Sequence, residues 1–220
     1  MTKLPQLSKL TVAIAKGRLQ DSALDLFANA GLYEAPNDLS SRRLAIENES
    51  GCFRFIFVKP MDVPVYVEHG IADCGIVGRD VLLESEANVL QPLTLDIGRC
   101  RIVVAAPDYW QGNSQGMLRV ATKHPHIAAT HFGKCGQPVE VIKLSGSVEL
   151  APVLGLSDCI VDLVETGRTL RDNGLRITDV IAESSGRFVV NRASYQLKTA
   201  AVTRLIAVLE ANGVAGRAEA

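Results

Sequence analysis

The sequence predicts an α/β protein built as two similar lobes, and three observations carry that reading. Apolar runs of strand length alternate with segments whose apolar residues fall at helical spacing. The strand-length runs are apolar throughout, as in mainly parallel sheets covered on both faces. The alternation also restarts after a loop at 110–116 rich in Gly, Gln and Asn.

In chain order, LTVAIA reads as a buried strand. LQDSALDLFANAG follows as a helix with Leu19, Ala23, Leu26, Phe27 and Ala30 on its apolar stripe and Gly31 as its stop. RRLAIENE and FRFIFV read as two strands. MDVPVYVEHG reads as a short helix, with Asp62 as its cap and Pro64 in its first turn. ADCGIVG is a strand, and residues 81–86 make a helical turn or two. Two extended runs, 89–96 and 101–106, read as strands near the crossing between lobes.

After the loop, LRVAT, VEVIKL and DCIVDLV read as strands. Residues 124–135 form a helix ended by Gly136. SGSVELAPVLG and TGRTLRDNG each open a short helix after a strand. Residues 175–183 and 187–191 are strands that return the chain. Residues 193–212 form the closing helix, with GVAGRAEA as a frayed tail. The expected lobes are 1–96 with 184–220, and 97–183, with a ligand cleft between them.

Composition narrows the function. The 220 residues are 47% hydrophobic and 21% charged, with a net charge of −1. That balance argues against a broad surface for nucleic acid or anionic membrane. No stretch approaches the roughly 20 apolar residues of a membrane span. The first ten residues lack the apolar run of a secretory signal. Five scattered cysteines without a CxxC pair read as reduced thiols in a cytoplasm.

Three loops stand out. In VDLVETGRTLRDNG, a strand turns into a helix through Glu165, Thr166, Gly167, Arg168 and Thr169. A helix start offers free N–H groups to a phosphate, Gly167 allows close backbone approach, and both threonines add hydroxyls. Asp162 and Glu165 suit the hydroxyls of a ribose beside that phosphate. Ordinary helix capping uses the same residue types. SGSVEL repeats the pattern with Ser145, Gly146, Ser147 and Glu149, as a cap or an anion contact. AKGRL places Lys16, Gly17 and Arg18 at the end of the first strand, where open α/β sheets bind ligands. Arg42 and Arg43 begin a strand, so only one of them faces a cleft. His69, His124, His126 and His131 read as surface residues. No GxSxG motif or Cys/His pair supplies a nucleophile, which points to catalysis by positioning and charge.

Taken together, AIAKGRL, SRRL, DVPVYVEHGIADCGIVGRDVL, RVATKHP, VIKLSGSVELAPVLGLSDCIVDLVETGRTLRDNGL and VNRASY resemble the ATP phosphoribosyltransferase (HisG) family. The resemblance implies a two-lobed fold like a type II periplasmic binding protein, with the substrate cleft between lobes. It implies condensation of ATP with 5-phosphoribosyl 1-pyrophosphate, with Mg²⁺ on the substrate phosphates. It assigns the phosphoribosyl loop to Asp162, Glu165, Thr166, Gly167, Arg168 and Thr169. ATP contacts fall to Lys16, Gly17, Arg18, Ser145, Gly146, Ser147 and Glu149. Arg18 and Arg42 become the catalytic arginines near the phosphates. Lys59 departs from the arginine more frequent in the family, keeping the charge but losing the fork. The length resembles the short form of the family, which implies a homodimer docked on a regulatory subunit similar to histidyl-tRNA synthetase. A non-catalytic solute-binding protein and a phosphoribosyltransferase for another base are the rival readings.

Overall fold

The computed structural model describes residues 9–33, 44–48, 50–111 and 116–217. The elements run β1 (Leu10–Ala15), α1 (Gln20–Asn29), β2 (Ala45–Glu47), β3 (Phe53–Val58), α2 (Asp62–Glu68), β4 (Cys74–Gly78), α3 (Arg79–Ser85) and β5 (Leu90–Leu95). Then follow β6 (Cys100–Pro107), β7 (Leu118–Thr122), α4 (Pro125–Lys134), β8 (Val139–Lys143), α5 (Leu150–Val153), β9 (Cys159–Val164), α6 (Arg168–Asp172) and β10 (Leu175–Ser184). The chain closes with β11 (Gly186–Val190), α7 (Arg192–Leu197), α8 (Thr199–Gly213) and β12 (Val214–Arg217). It forms two compact units, Met1–Gly98 with Ser185–Ala220, and Arg99–Ser184.

Among the described residues, the first unit is a seven-stranded sheet in the order β12-β5-β11-β4-β1-β3-β2. Its central strands are apolar on both faces because each face has its own cover. Val12 and Ile14 join a core with Phe27 of α1 and Leu205 of α8. Ala13 and Ala15 join another with Val63 and Val67 of α2. Phe27 and Phe55 meet edge to face at 5.1 Å in the first core.

The second unit repeats this plan on a five-stranded sheet, β10-β6-β9-β7-β8. Ile102 and Val104 pack with Ile127 and Phe132 of α4. Val103 and Ala105 pack with Ala151 of α5 and Leu170 of α6.

Both sheets are mixed, which corrects the expectation of mainly parallel ones. Among the described residues, parallel pairing is confined to β1 with β3 and β4, and to β7 with β8 and β9. Besides the β2–β3 and β12–β5 pairs, the reason is the double passage of the chain between units. β6 starts where the chain enters the second unit and β10 ends where it leaves, so neighbours at that point run oppositely, with Ser184 opposite Cys100. The same holds in the first unit, where Arg187 of β11 lies opposite Thr94 of β5.

Three local expectations also change. Met61, not Asp62, is the N-cap of α2, and Asp62 lies in the first turn. The expected tail contains β12, which pairs antiparallel with β5. The closing helix is two helices, interrupted at Lys198, whose φ of −119° and ψ of 32° leave the helical region.

A buried polar network accounts for the interruption. Asp73 is only 6% exposed. Its carboxylate accepts from the Thr11 N–H at 2.8 Å, the Ser194 hydroxyl at 2.7 Å and the Lys198 ammonium at 2.9 Å. Lys198 also donates to the Lys9 carbonyl at 2.9 Å. Asn191 caps α7 by accepting from the Ser194 N–H at 2.8 Å and donates to the Val67 carbonyl at 2.8 Å. The returning chain is thereby tied to β1, β4 and α2.

Lys198→Met leaves the Asp73 carboxylate buried without its cation. The expected loss is about 2–4 kcal/mol, below the range for a fully buried pair, because the Lys198 side chain is 32% exposed. Urea unfolding should show a lower midpoint at an unchanged slope. An unaltered midpoint would show that the network does not anchor the closing helices.

Candidate functional site

Neighbouring parallel strands end on the same edge of a sheet, and ligands of open α/β sheets bind there. In the second unit β9, β7 and β8 are such neighbours. Their following loops hold residues 165–167, 123–124 and 144–149.

Asp162, near the end of β9, is 7% exposed, and its Oδ1 accepts from the Leu163 N–H at 2.9 Å. Burial pushes its carboxyl above the ordinary carboxylate value. The Leu163 N–H, Lys123 and His124 act in the opposite direction, and Glu149 adds to the rise. Groups from the β7 and β8 loops therefore converge on a carboxylate of β9.

Thr122 fixes this edge. It is fully buried; its hydroxyl donates to the Val161 carbonyl at 2.7 Å and accepts from the His124 N–H at 2.9 Å. His124 corrects the expectation of a surface histidine: it is 7% exposed. The rule that places ligands at strand ends marks Lys123 and His124, which directly follow LRVAT, as much as it marks Lys16 to Arg18 after the first strand.

The loop after β9 is a tight turn ahead of a short helix. Gly167 is the N-cap of the five-residue α6 with φ 74° and ψ 11°, a left-handed conformation that glycine adopts without strain. The Arg168 N–H donates to the Thr166 hydroxyl at 3.4 Å, and Arg171 donates to the Thr166 carbonyl at 3.2 Å. Glu165, Thr166, Arg168 and Thr169 are exposed. The Arg168 guanidinium pairs with Asp172 at 3.5 Å. So short a helix has a weak dipole, which leaves loop N–H groups and hydroxyls as the donors this turn can offer. Beside Thr166 and Gly167 lies a cavity of about 410 Å³ lined also by Arg101, Arg171, Arg176 and Asp108.

In the β8 loop, Ser145, Gly146 and Ser147 are exposed and Glu149 is half-buried. Ser147 has a φ of 46°, a conformation that costs a non-glycine residue energy and that clusters at ligand loops.

In the first unit, Lys16, Gly17 and Arg18 form the turn after β1, two residues ahead of α1. The Lys16 N–H donates to the Val58 carbonyl at 2.9 Å, so the turn adjoins Lys59 at the end of the parallel strand β3. Arg18 donates to the Gly98 carbonyl and lies 3.9 Å from Asp80, which is 4% exposed. Gly78 precedes that carboxylate because a Cβ there would fall 2.2 Å from Asp80 Oδ1. Arg42 and Arg43 lie outside the described residues.

The five cysteines are free thiols. Burial pushes Cys74 up, and pushes Cys159 up to about 12, so neither is a thiolate near neutral pH. Among the described residues, no group of three His, Cys, Asp or Glu side chains is placed to hold a metal, and no helix is long and apolar enough to cross a membrane.

Two α/β units, each with parallel strands at the heart of a mixed sheet, define a protein of the periplasmic-binding-protein class of fold. The alkanesulfonate-binding protein SsuA of Xanthomonas axonopodis pv. citri shares that fold at a TM-score of 0.55 and 13% identity, over 95% of this chain and 74% of its own. The family model described as HisG, ATP phosphoribosyltransferase, matches residues 59–211. The ATP phosphoribosyltransferase of Thermoanaerobacter sp. (strain X514) is 46% identical over 93% of this chain and 96% of its own. That of Geobacillus kaustophilus is 48% identical over 90% and 95%. The ATP phosphoribosyl transferase (HisG:HisZ) complex from Thermotoga maritima matches at a TM-score of 0.82 and 38% identity, over 92% of this chain and 97% of that one. The chain belongs to the HisG family of ATP phosphoribosyltransferases, enzymes of the first step of histidine biosynthesis.

Asp162→Asn should separate stability from function. A carboxyl raised by burial contributes stability below the ordinary value of 3.8 and loses it as pH rises through its folded value. At neutral pH the variant should therefore melt higher than wild type, with the difference vanishing as pH falls toward 3.8. Affinity for phosphoribosyl pyrophosphate should fall about tenfold or more through loss of a charged acceptor. Calorimetric melts at several pH values, paired with ligand titration, check both; a variant that melts lower at pH 7 contradicts the assignment.

Proposed function

We infer that this chain joins adenine N1 of ATP to C1 of 5-phosphoribosyl 1-pyrophosphate, releasing pyrophosphate and forming N1-(5-phosphoribosyl)-ATP. The observation that carries the residue-level reading is the buried Asp162 carboxylate beside the Thr166–Gly167 turn, on an edge shared by three loops. The turn and its hydroxyls hold the 5′-phosphate, and Asp162 and Glu165 accept from ribose hydroxyls. Lys16, Gly17 and Arg18, with Ser145, Gly146, Ser147 and Glu149, hold ATP.

No protein nucleophile is required, because adenine N1 carries its own lone pair. The barrier lies in breaking the C1–O bond, with positive charge growing on the ribose and negative charge on the departing pyrophosphate. Arg18 offsets the latter by exchanging its 3.9 Å contact with Asp80 for phosphate oxygens. Arg42 takes the same role on the family resemblance. Mg²⁺ would arrive on the substrate phosphates and be bound through them. When bound, Mg²⁺ neutralises charge on the leaving group.

The likeness to the Thermotoga complex supports action with a regulatory subunit. We assign this chain to the cytoplasm, as a dimer docked on a partner resembling histidyl-tRNA synthetase, where histidine binding is coupled to the catalytic chain by a few kcal/mol at most.

The test is phosphoribosyl-ATP formation by the purified chain from ATP and phosphoribosyl pyrophosphate, with and without the partner from the same genome. Turnover should rise with the partner, and inhibition by histidine should require it. Thr166→Ala with Thr169→Ala should weaken phosphoribosyl pyrophosphate binding about tenfold or more, with an unchanged circular dichroism spectrum. Unaltered affinity would remove the loop from the site, and absence of product under every condition would overturn the activity.

A further inference from the structure

An interior strand of the first unit carries a charge that has no role in the site as described. β11 lies between β5 and β4, and its Phe188, Val189 and Val190 are fully buried. Arg187 is half-buried on this strand, opposite Val77 of β4 and Thr94 of β5. A cation drawn into a covered sheet loses hydration that only acceptors restore. Among the described residues, its hydrogen bonds leave from Nη1 alone, to the Ser185 hydroxyl at 3.2 Å and the Gly186 carbonyl at 3.5 Å. Its Nε and Nη2 donors have no acceptor among those residues, and neither of its partners is a carboxylate.

Printed contacts gather two further arginines at the same end of the strand. Ser185, whose hydroxyl accepts from Arg187, also accepts from the Arg79 N–H through its carbonyl at 3.0 Å. The Gly186 N–H donates to the Ile97 carbonyl at 2.9 Å, and Arg18 donates to the carbonyl of Gly98, the next residue. Glycine permits this closeness. A Cβ on Gly186 would fall 2.7 Å from Ile97 Cγ1, and one on Gly98 would fall 3.2 Å from Arg18 Nη1. This is the edge where the parallel strands β1 and β4 end, the one that ligands of open α/β sheets use. Burial, and after it the Arg79 charge, hold the Arg187 guanidinium below its ordinary value. Asp80, 3.9 Å from Arg18, balances one of the charges. Crowded guanidiniums are stabilised by an anion between them, and their planar forks match phosphate oxygens.

We propose that Arg187 is a phosphate-binding residue of the first unit, which with Arg79 and Arg18 holds a diphosphate unit. That unit is either part of the polyphosphate chain of ATP or the pyrophosphate group of phosphoribosyl pyrophosphate; the chemistry recognised is the same. This deepens the reading of the Lys16–Arg18 turn as a phosphate contact and rests on it. Arg187 offers its donors from a fixed strand, whereas Arg18 reaches in from a turn.

Calorimetric titration of the full chain with ATP, AMP and pyrophosphate tests the subsite without requiring turnover. In Arg187→Met, affinity for ATP, for pyrophosphate or for both should fall about tenfold or more, while AMP, which has no diphosphate, keeps its affinity. A fall for ATP alone identifies the chain of ATP as the occupant, and a fall for pyrophosphate alone identifies the pyrophosphate group. Arg187→Lys keeps the charge without the fork and should recover part of the loss. Arg54→Met removes the same charge from an exposed position on β3 and should leave all three affinities unchanged. Should Arg187→Met not fold, the Arg187 Nε–H resonance of wild type serves instead: it should move with ATP or pyrophosphate and stay in place with AMP. Affinities for ATP and pyrophosphate unchanged in Arg187→Met, an equal loss for AMP or in Arg54→Met, or a resonance that does not distinguish either ligand from AMP overturns the proposal and leaves the reading of the Lys16–Arg18 turn standing. Failure of wild type to bind ATP and pyrophosphate alike overturns that reading as well.

Discussion

The parallel pairing of β9, β7 and β8 is the constraint on which the candidate site depends. Three neighbouring strands that run the same way must deliver their following loops to one edge. Glu165 to Gly167, Lys123 with His124, and Ser145 to Glu149 are distant in sequence and meet for that reason alone. Reversing any one strand would send its loop to the opposite edge and leave Asp162 without the Lys123, His124 or Glu149 charge that acts on it. Thr122 makes the arrangement rigid, because one buried hydroxyl bonds to β9 on one side and to the turn into α4 on the other.

Around that edge the protein accepts unfavourable local states. Asp162 is a carboxylate kept from water, Ser147 is a non-glycine residue with positive φ, and His124 has a buried nitrogen without a partner. Each costs folding free energy, and such states cluster at functional sites. The turn at Gly167 shows the opposite solution, a left-handed position filled by the residue that holds it without strain.

The first unit solves a different problem. Its sheet is completed by a strand that returns after 86 residues spent in the other unit. Asp73 and Asn191 secure that return by joining α7 to the start of β4 and the end of α2. The interruption at Lys198 turns the chain so that one ammonium reaches both Asp73 and the Lys9 carbonyl. Sequence periodicity reads 193–212 as one helix because its apolar spacing hardly changes across Lys198; the interruption arises from a partner 125 residues away.

Sequence alone determined the alternation of strands and helices, the apolar character of strands covered on both faces, and the family. These follow from local spacing and from motifs contiguous in the chain, such as VDLVETGRTL. Asp162 and the Thr166–Gly167 turn were legible for the same reason. Only the tertiary structure decided strand direction, since a buried strand has the same composition whether its neighbour runs parallel or antiparallel. It alone buried His124, whose neighbours in sequence read as a solvated helix start. It alone joined the β7 and β8 loops to Asp162, because a convergence of charges is set by which strands lie side by side, and strand order leaves no mark on the residues of any one strand.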